Sequence, residues 1–257
     1  MKHLTRNILI ILFYLTSIPF WRRQFLQLRS RQLRSRQPGC RLLRVWCLHE
    51  VKDNQTNQFE KKIQYLQKKY NIITPEQFKH QEFSSERLNI LITFDDGFES
   101  WFNNVLPILK KYNIKATFFI SKEFQYLRNL SNGKFFYNDE LDSYIKGLLA
   151  EGHCLGGHSF THQRLTDLDH QEMHREVWQS VKSEFFAYTF GDKKSYSSKV
   201  ITEVKEAGYK YGFTIIPGFN RKKTNPYKLY RDSLDADVNN LIFKLWFKGC
   251  YDWKSLL

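Results

Sequence analysis

Two short segments of the chain carry side chains that could bind a metal ion and transfer protons. Asp95 and Asp96 stand together at the end of the apolar run 90–94, and His158 and His162 follow later, four residues apart. Adjacent ionised carboxylates repel each other, so their position after a buried strand requires a compensating charge. A divalent cation held by Asp96 and the two imidazoles would supply it and leave positions open for water and substrate. Asp95 is then predicted to accept a proton from that water as general base.

Each of these residues has a structural alternative. The two aspartates could form a turn or a helix cap before Gly97, and a single histidine is usually structural. The apolar strand before the aspartates and the ligand spacing of the histidines together favour the metal site. A second pair at the same spacing, His170 and His174, has the pattern of an exposed helix face and is not expected to bind metal.

The elements that must position these side chains follow one another as alternating strands and helices. Such an alternation indicates a parallel sheet, and the absence of a glycine-rich phosphate loop favours a barrel over a nucleotide-binding fold. In such barrels catalytic groups follow the carboxyl ends of the strands, where His49, Asp95 and the His158 loop fall. The predicted strands are 44–48, 90–94, 116–120, 153–155, 185–188 and 211–215, and the predicted helices are 59–70, 101–112, 138–150, 170–181 and 197–207, with a further helix start at Thr74.

The strong positive charge belongs to the N-terminal part of the chain. The formal net charge is +14, but no acidic residue precedes Glu50. The basic residues before it therefore account for most of the excess, and a barrel without a basic face is not expected to bind nucleic acid. The residues counted in this basic segment are Lys2, Arg6, Arg22, Arg23, Arg29, Arg31, Arg34, Arg36, Arg41 and Arg44.

The same N-terminal segment contains an apolar run and a short repeat. The run 8–21 is shorter than the ~20 apolar residues of a membrane-spanning helix, and Arg22-Arg23 follows it instead of a small-residue cleavage site. The repeated segments 28–32 and 33–37 add four arginines. This pattern predicts a helix lying on an anionic membrane surface. An uncleaved signal anchor and an ordinary core helix with a basic face are the alternatives.

The chain is accordingly divided into two predicted parts. Residues 1–40 form a membrane-associated apolar and basic segment, with residues 1–37 making the membrane contact, and residues 41–257 form the barrel domain. The expected location is the surface of a bacterial inner membrane, and the side of the membrane and the oligomeric state stay open.

The two motifs resemble those of a known family. Thr93-Phe-Asp-Asp-Gly97 and His158-Ser-Phe-Thr-His162 are similar to the first two motifs of the polysaccharide deacetylases (NodB homology domain, carbohydrate esterase family 4), and the resemblance runs from Val45 to Leu245. It implies an α/β fold, a deformed (β/α)7-type barrel, with Asp95 as base. Asp96, His158 and His162 would bind a divalent ion, with Zn2+ expected and Co2+, Ni2+ or Mn2+ as alternatives.

The general acid of the resembled family requires a histidine from another segment. Many members carry it near the C-terminus, but no histidine follows His174 here. Cys47-Leu-His-Glu-Val51 is similar to a form found near the N-terminus in poly-N-acetylglucosamine deacetylases. The resemblance therefore assigns the acid to His49, and a histidine that caps the first strand is the alternative.

The third motif departs from the family pattern in Ala187-Tyr-Thr-Phe190. Thr189 replaces a proline, and Ala187 replaces the arginine that steadies the base in many members. By resemblance the Phe190 N–H would bind the oxyanion, Tyr188 would contribute to the substrate site, and Arg231 could replace the missing arginine.

The implied reaction is hydrolysis of an acetyl group on a carbohydrate or lipid-linked glycan, with the N-acetyl group of a hexosamine expected. Trp101, Phe160 and Tyr188 could stack on a sugar ring, although such aromatics are more often core residues. The alternative function, motivated by Thr189 and by the missing C-terminal histidine, is that of a catalytically weak or silent carbohydrate-binding relative.

Overall fold

The computed structural model describes residues 41–123 and 138–256. Within this part, eight strands form one sheet in which all the named strands pair in parallel. The strands are β1 (Leu43–Leu48), β2 (Asn71–Ile72), β3 (Asn89–Asp96), β4 (Thr117–Ile120), β5 (Cys154–Gly157), β6 (Phe185–Ala187), β7 (Tyr211–Phe213) and β8 (Asp232–Ser233).

Helices connect most of these strands, as a parallel sheet requires. They are α1 (Thr56–Lys69), α2 (Pro75–Lys79), α3 (Leu106–Lys111), α4 (Asn138–Ala150), α5 (His170–Trp178), α6 (Ser198–Glu206) and α7 (Asn240–Phe247). Short helical turns of other types cover Asp53–Gln55, Trp101–Val105, Leu165–Asp167 and Asp252–Leu256.

The sheet curls until its two ends nearly meet. The strand order is β7-β6-β5-β4-β3-β1-β8, with β2 beside the first residues of β3. At the open side, Phe213 bridges to Leu229, and the same segment continues into β8 beside β1. The predicted deformed barrel is thus confirmed. Helix α7 was not predicted, and neither was the closing strand β8, which at two residues is too short to show periodicity in the sequence.

The central strands are buried on both faces, because helices cover one side and the barrel interior the other. Every residue of β1 and β3 is buried. The rings of Phe94 and Phe118 stack at 5.0 Å, and Trp46 packs edge-on against Phe243 of α7 at 5.0 Å. This aromatic packing fixes the strands whose ends carry the candidate site.

Helix α2 begins where the sequence predicts. The Gln77 N–H donates to Thr74 Oγ1 at 3.1 Å, and the Thr74 N–H donates to Gln77 Oε1 at 2.9 Å. This reciprocal capping satisfies two amide groups that a helix start otherwise leaves without partners.

The predicted helix 101–112 starts with a wider π turn over Trp101–Val105. Two side chains of this turn point to the loop after β1. Trp101 Nε1 donates to the His49 carbonyl at 2.9 Å, and Asn104 Nδ2 donates to the Val51 carbonyl at 2.8 Å. The π turn therefore fixes the backbone of the loop that carries His49.

Arg44 belongs to the core rather than to the basic segment. Its guanidinium is fully buried, and Nη1 lies 2.7 Å from both oxygens of Asp232, while Nη2 donates to Asp252. The assignment of Arg44 to the N-terminal excess of charge was therefore wrong. The pair links β1 to β8 and to the C-terminal turn, so it helps to close the barrel.

Residues 1–40, where the membrane-surface helix is predicted, lie outside the described residues. In the part that the structure describes, no helix is long and apolar enough to span a bilayer. The membrane-associated segment therefore stays a prediction.

A buried histidine between β4 and β5 makes folding sensitive to acid. His153 Nδ1 accepts a hydrogen bond from the Ala116 N–H at 3.2 Å, which requires the neutral ring. Burial, with help from Lys115, lowers the pKa of His153 from 6.5 to about 4. Between these values the unfolded chain binds a proton that the folded chain does not, so stability falls as pH falls from 6.5 to 4.

Between pH 7 and pH 4.5 we expect the free energy of unfolding of His153→Asn to fall by on the order of 2 kcal/mol less than that of the unsubstituted protein. The reason is that asparagine keeps a hydrogen-bond acceptor but does not titrate. Urea unfolding at pH 7 and pH 4.5 measures the difference. His80→Asn is the control, since its side chain is 62% exposed. Equal acid sensitivity of the His153 variant and the unsubstituted protein would contradict this role.

Candidate functional site

The sheet register brings the two predicted ligand segments to the same level of the barrel. Asp96, the last residue of β3, pairs with Ile120 of β4, and Ile120 pairs with Gly157, the last residue of β5. His158 follows immediately, so the two ligand segments emerge on either side of β4. Gly156 is required here, because a Cβ at this position would lie 2.2 Å from the Phe119 ring.

Three side chains converge on one point in a manner that suits a metal ion. Asp96 Oδ1 lies 3.3 Å from His158 Nε2 and 3.2 Å from His162 Nε2. Two ligand atoms at about 2.0–2.1 Å from a tetrahedral zinc are separated by about 3.3 Å, so the spacing fits. Asp96 Oδ1 is also buried without a hydrogen-bond partner, which is costly unless a cation faces it.

The ring orientation of His158 is fixed by the neighbouring strand. Its Nδ1 lies 2.8 Å from the carbonyl oxygen of Ala187, the last residue of β6. A carbonyl oxygen only accepts, so Nδ1 carries the proton and Nε2 presents its lone pair towards Asp96. The backbone at the Ala187 position thus contributes to the site although its side chain does not.

Asp95 is paired with Arg231 inside the barrel. Arg231 Nη1 donates to Oδ1 at 2.6 Å and Nη2 donates to Oδ2 at 2.7 Å, and both side chains are buried. Arg231 Nε is held by the Thr214 carbonyl at 2.8 Å. The Cys47 thiol lies 3.4 Å from Asp95 Oδ2 and adds a weak donor. The structure therefore brings Arg231 to the residue that its predicted role requires.

His49 also lies beside Asp95. Ligand-type atoms of Cys47, His49 and Asp95 all lie within 4.8 Å of one another, as do those of the Asp96 group. Both oxygens of Asp95 already accept from the Arg231 guanidinium, whose positive charge opposes a second cation. The Asp96 group therefore suits a metal, and the His49 group suits proton transfer.

Comparison with known proteins agrees with this geometry. Residues 84–212, half of the chain, match the family model described as polysaccharide deacetylase. The chain belongs to the polysaccharide deacetylase family. Enzymes of this family are hydrolases that act on carbon–nitrogen bonds other than peptide bonds.

Individual relatives of the polysaccharide deacetylase family match most of the chain. The putative polysaccharide deacetylase YxkH of Bacillus subtilis is 26% identical over 206 residues, covering 75% of this chain and 69% of that protein. The poly-beta-1,6-N-acetyl-D-glucosamine N-deacetylase of Staphylococcus aureus is 27% identical over 207 residues, covering 74% and 70%. For the B. subtilis peptidoglycan-N-acetylmuramic acid deacetylase PdaA, the match spans only 48% of that protein.

A solved structure shows the same fold. The structure of IcaB from Ammonifex degensii superposes with a TM-score of 0.64 at 20% identity, covering 84% of this chain and 97% of that chain. At this identity the likeness confirms the deacetylase barrel.

The two aspartates of the deacetylase motif are kept ionised by different positive groups. Burial raises the pKa of Asp96, but His158 and His162 outweigh it and hold this pKa far below its ordinary value. Burial likewise raises the pKa of Asp95, and Arg231 more than compensates, so this pKa is also lowered. Both carboxylates are therefore ionised at neutral pH, each with its own source of positive charge.

The remaining titratable groups respond to the same carboxylates. Burial lowers the pKa of His158, but the neighbouring carboxylates of Asp96 and Asp95 raise it above its ordinary value. For His162, burial lowers the pKa and dominates. Burial raises the pKa of Cys47 well above its ordinary value, so the thiol stays protonated as a donor.

The aromatic side chains predicted at the substrate site have different environments. Tyr188 is fully buried and its hydroxyl donates to the Tyr227 carbonyl at 2.9 Å, which favours the core role over a contact of its ring with a sugar. Trp101 is equally buried. Phe190 is 48% exposed and its ring centroid lies 5.2 Å from that of His162, so it borders the ligand group. Phe160 is only partly buried.

One residue that organises the site was missed from the sequence. Glu176 of α5 accepts the N–H groups of Phe160 at 3.0 Å and Thr161 at 2.8 Å, and the Thr161 hydroxyl at 2.5 Å. It thus anchors the loop between His158 and His162, the two predicted ligands. Its signal was available, because Glu176 shares the buried face of α5 with Met173, where a carboxylate requires partners.

The loop also contains unusual backbone angles. Ser159 and His162 have φ values of 59° and 65°, and Asp96, outside the loop at the end of β3, has a φ of 91°. Side chains other than glycine disfavour this region, and the surrounding contacts must hold them there. The Ser159 hydroxyl accepts the His162 N–H at 2.9 Å, and the Glu176 carboxylate holds the two residues between.

We expect Glu176→Gln to weaken zinc binding by about 10- to 100-fold, because the amide group presents an N–H where the loop requires an acceptor. Competition with a chelating dye measures the affinity. Glu172→Gln, exposed on the same helix, is the matched control and should bind zinc as the unsubstituted protein does. Equal affinities of both variants would show that Glu176 does not position the ligands.

Proposed function

We propose that this protein is a divalent-metal-dependent deacetylase that hydrolyses the N-acetyl group of a hexosamine in an acetylated glycan or lipid-linked sugar. The observation that carries the proposal is the buried, unpartnered Asp96 oxygen facing two imidazole nitrogens. A carboxylate of lowered pKa and a histidine stand beside this group, as hydrolysis by acid–base catalysis needs.

Asp96, His158 and His162 would hold the ion, for which Zn2+ is the expected choice and Co2+, Ni2+ or Mn2+ are alternatives. When bound, such a cation lowers the pKa of water and polarises the acetyl carbonyl. The donor set supports this choice, because one oxygen and two nitrogens leave positions for both water and substrate.

Asp95 receives the proton as the water oxygen forms its bond to the acetyl carbon. Its bidentate pairing with Arg231 holds the carboxylate ionised and in one orientation. The pairing also makes it a weak base, so the proton is passed on readily. The Cys47 thiol restricts the orientation of the carboxylate further.

His49 donates a proton to the nitrogen as the carbon–nitrogen bond breaks, so that acetate and a free amine leave. Its place beside Asp95 supports this role, and Trp101 fixes its backbone carbonyl from the π turn. An imidazole suits proton donation near neutral pH. The ring of Phe190 borders His162, and the N–H of the same residue would stabilise the negative oxygen of the tetrahedral intermediate.

The choice of an N-acetylhexosamine is supported by the relatives. The S. aureus relative is named a poly-beta-1,6-N-acetyl-D-glucosamine N-deacetylase, and a Bacillus cereus relative, 30% identical over 171 residues, is named a peptidoglycan-N-acetylglucosamine deacetylase. Both names describe removal of an acetyl group from nitrogen on a glycan.

We expect Asp95→Asn and His49→Ala each to lower acetate release from acetylated chito-oligosaccharides by at least about 100-fold. Asparagine keeps the shape of Asp95 but accepts no proton, and alanine removes the acid. Bound zinc should remain equal to that of the unsubstituted protein in both variants, because neither residue belongs to the ligand group.

The control is His170→Ala, a histidine whose side chain is 80% exposed, which should retain full turnover. Metal-dependent acetate release that survives in Asp95→Asn would refute the assignment of the base. Zinc binding without any acetate release, across defined acetylated sugars, would favour a silent carbohydrate-binding relative.

Attachment to a membrane surface is the second part of the proposal. The basic repeat and the apolar run of residues 1–37 support binding to anionic lipid. A protein bound to the membrane surface would be close to the proposed substrate if that substrate is a cell-surface glycan.

We expect the full chain to sediment with vesicles that contain anionic lipid, and a chain lacking residues 1–37 to remain in the supernatant with its zinc bound. Neutral vesicles are the control, since each basic residue near an anionic surface contributes about 1 kcal/mol. Equal partition of the full and shortened chains would contradict the surface helix.

A further inference from the structure

We propose that Thr189 and Arg164 are positioning residues that latch the oxyanion loop, residues 188–195, to the metal-ligand loop, residues 158–164. The latch would direct the Phe190 N–H towards the ligand group. This inference rests on the proposed function, because it concerns the oxyanion of the same reaction.

Thr189 makes the inner contact of the latch. Its Oγ1 donates to the Gln163 carbonyl at 2.6 Å, and Gln163 follows His162 directly in the chain. Thr189 is fully buried, so its own hydroxyl is shielded from water. Proline, which the family motif has at this position, fixes its own φ angle but has no hydroxyl to reach the other loop. In this chain the hydrogen bond from the Thr189 hydroxyl to the metal-ligand loop therefore takes the place of the fixed φ angle of proline.

Arg164 makes the outer contact. Its Nη1 donates to Asp192 Oδ1 at 2.6 Å and to Ser195 Oγ at 2.7 Å, and Nη2 donates to Asp192 Oδ2 at 3.2 Å. The same guanidinium lies 4.6 Å from the centre of the Phe190 ring. The bidentate pair with Asp192 and the contact with the Phe190 ring together fix the orientation of the guanidinium, which a single ion pair would not do.

The backbone between these two contacts is in an unfavourable conformation. Phe190 has a φ of 61°, in the left-handed region that favours glycine. Such a conformation persists only where surrounding contacts hold it. The peptide plane that carries the Phe190 N–H lies between Thr189 and Phe190, so restraining the hydroxyl on one side and the ring on the other fixes the direction of this N–H.

The latch also bears on the departure of this chain from its family. Loss of the proline would leave the oxyanion loop freer if nothing replaced it. Here the Thr189 hydroxyl and the Arg164 guanidinium supply two independent restraints from the metal-ligand loop. Because both loops are restrained together, the distance between the oxyanion donor and the ligand group is fixed as well.

The test compares Thr189→Val, which keeps the shape but removes the hydroxyl, with Thr189→Ser, which restores it. We expect Thr189→Val to lower kcat by about fivefold to tenfold, the effect of one lost hydrogen bond, with KM within about twofold. Zinc content should be unchanged. Thr189→Ser should recover most of kcat. Thr166→Val is the matched control, because Thr166 Oγ1 also donates across the two segments, to the Lys194 carbonyl at 2.6 Å, beyond Phe190.

Hydrogen exchange supplies a readout that does not depend on turnover. Amides of residues 188–191 should exchange about fivefold faster in Thr189→Val than in Thr166→Val, while those of β3 stay the same in both. Equal exchange and equal kcat in the two valine variants would overturn the latch. If the unsubstituted protein releases no acetate, the proposed reaction fails, and the exchange comparison alone still decides whether the latch exists.

Discussion

Two consecutive ionised carboxylates lie buried at the end of one strand, and the rest of the structure depends on how their charge is neutralised. A different positive group neutralises each of them. Asp95 is paired with Arg231 within the barrel, and Asp96 faces two imidazoles. The neutralising groups therefore come from two separate segments of the chain, and the fold must bring both to the end of β3. This is the physical reason why a barrel rather than an open sheet suits the site.

Closure of the barrel is thus linked directly to the chemistry. Arg231 and Asp232 are neighbours in the closing segment, and each forms a buried pair with a different central strand. Arg231 meets Asp95 of β3, and Asp232 meets Arg44 of β1. A buried pair contributes little net stability but is costly to break, so these two pairs favour one register of the closing segment. The register in turn sets the orientation of the base.

The sequence predicted the residues that the structure brings together, because they adjoin strand ends. It did not predict most of the contacts that hold these residues in place. The strand before Asp95 was predicted to end at Phe94, yet β3 continues through Asp96, because pairing with β4 outweighs the low strand preference of aspartate. The burial of Arg44 was not predicted, because the residue type alone does not indicate whether an arginine side chain is buried or exposed to solvent. Helix periodicity indicates that Glu176 is buried, but its partners in the histidine loop depend on how α5 packs, which periodicity does not reveal.

We propose that the metal binds at Asp96, His158 and His162 and not at the neighbouring group of Cys47, His49 and Asp95. X-ray absorption spectroscopy of the zinc-loaded protein separates the two directly, because sulfur and nitrogen or oxygen ligands lie at different distances from zinc, about 2.3 Å and about 2.0–2.1 Å. We expect one zinc per chain with nitrogen and oxygen neighbours, including two imidazoles, and no sulfur. A sulfur neighbour at the zinc would place the metal on Cys47 and contradict this ligand assignment.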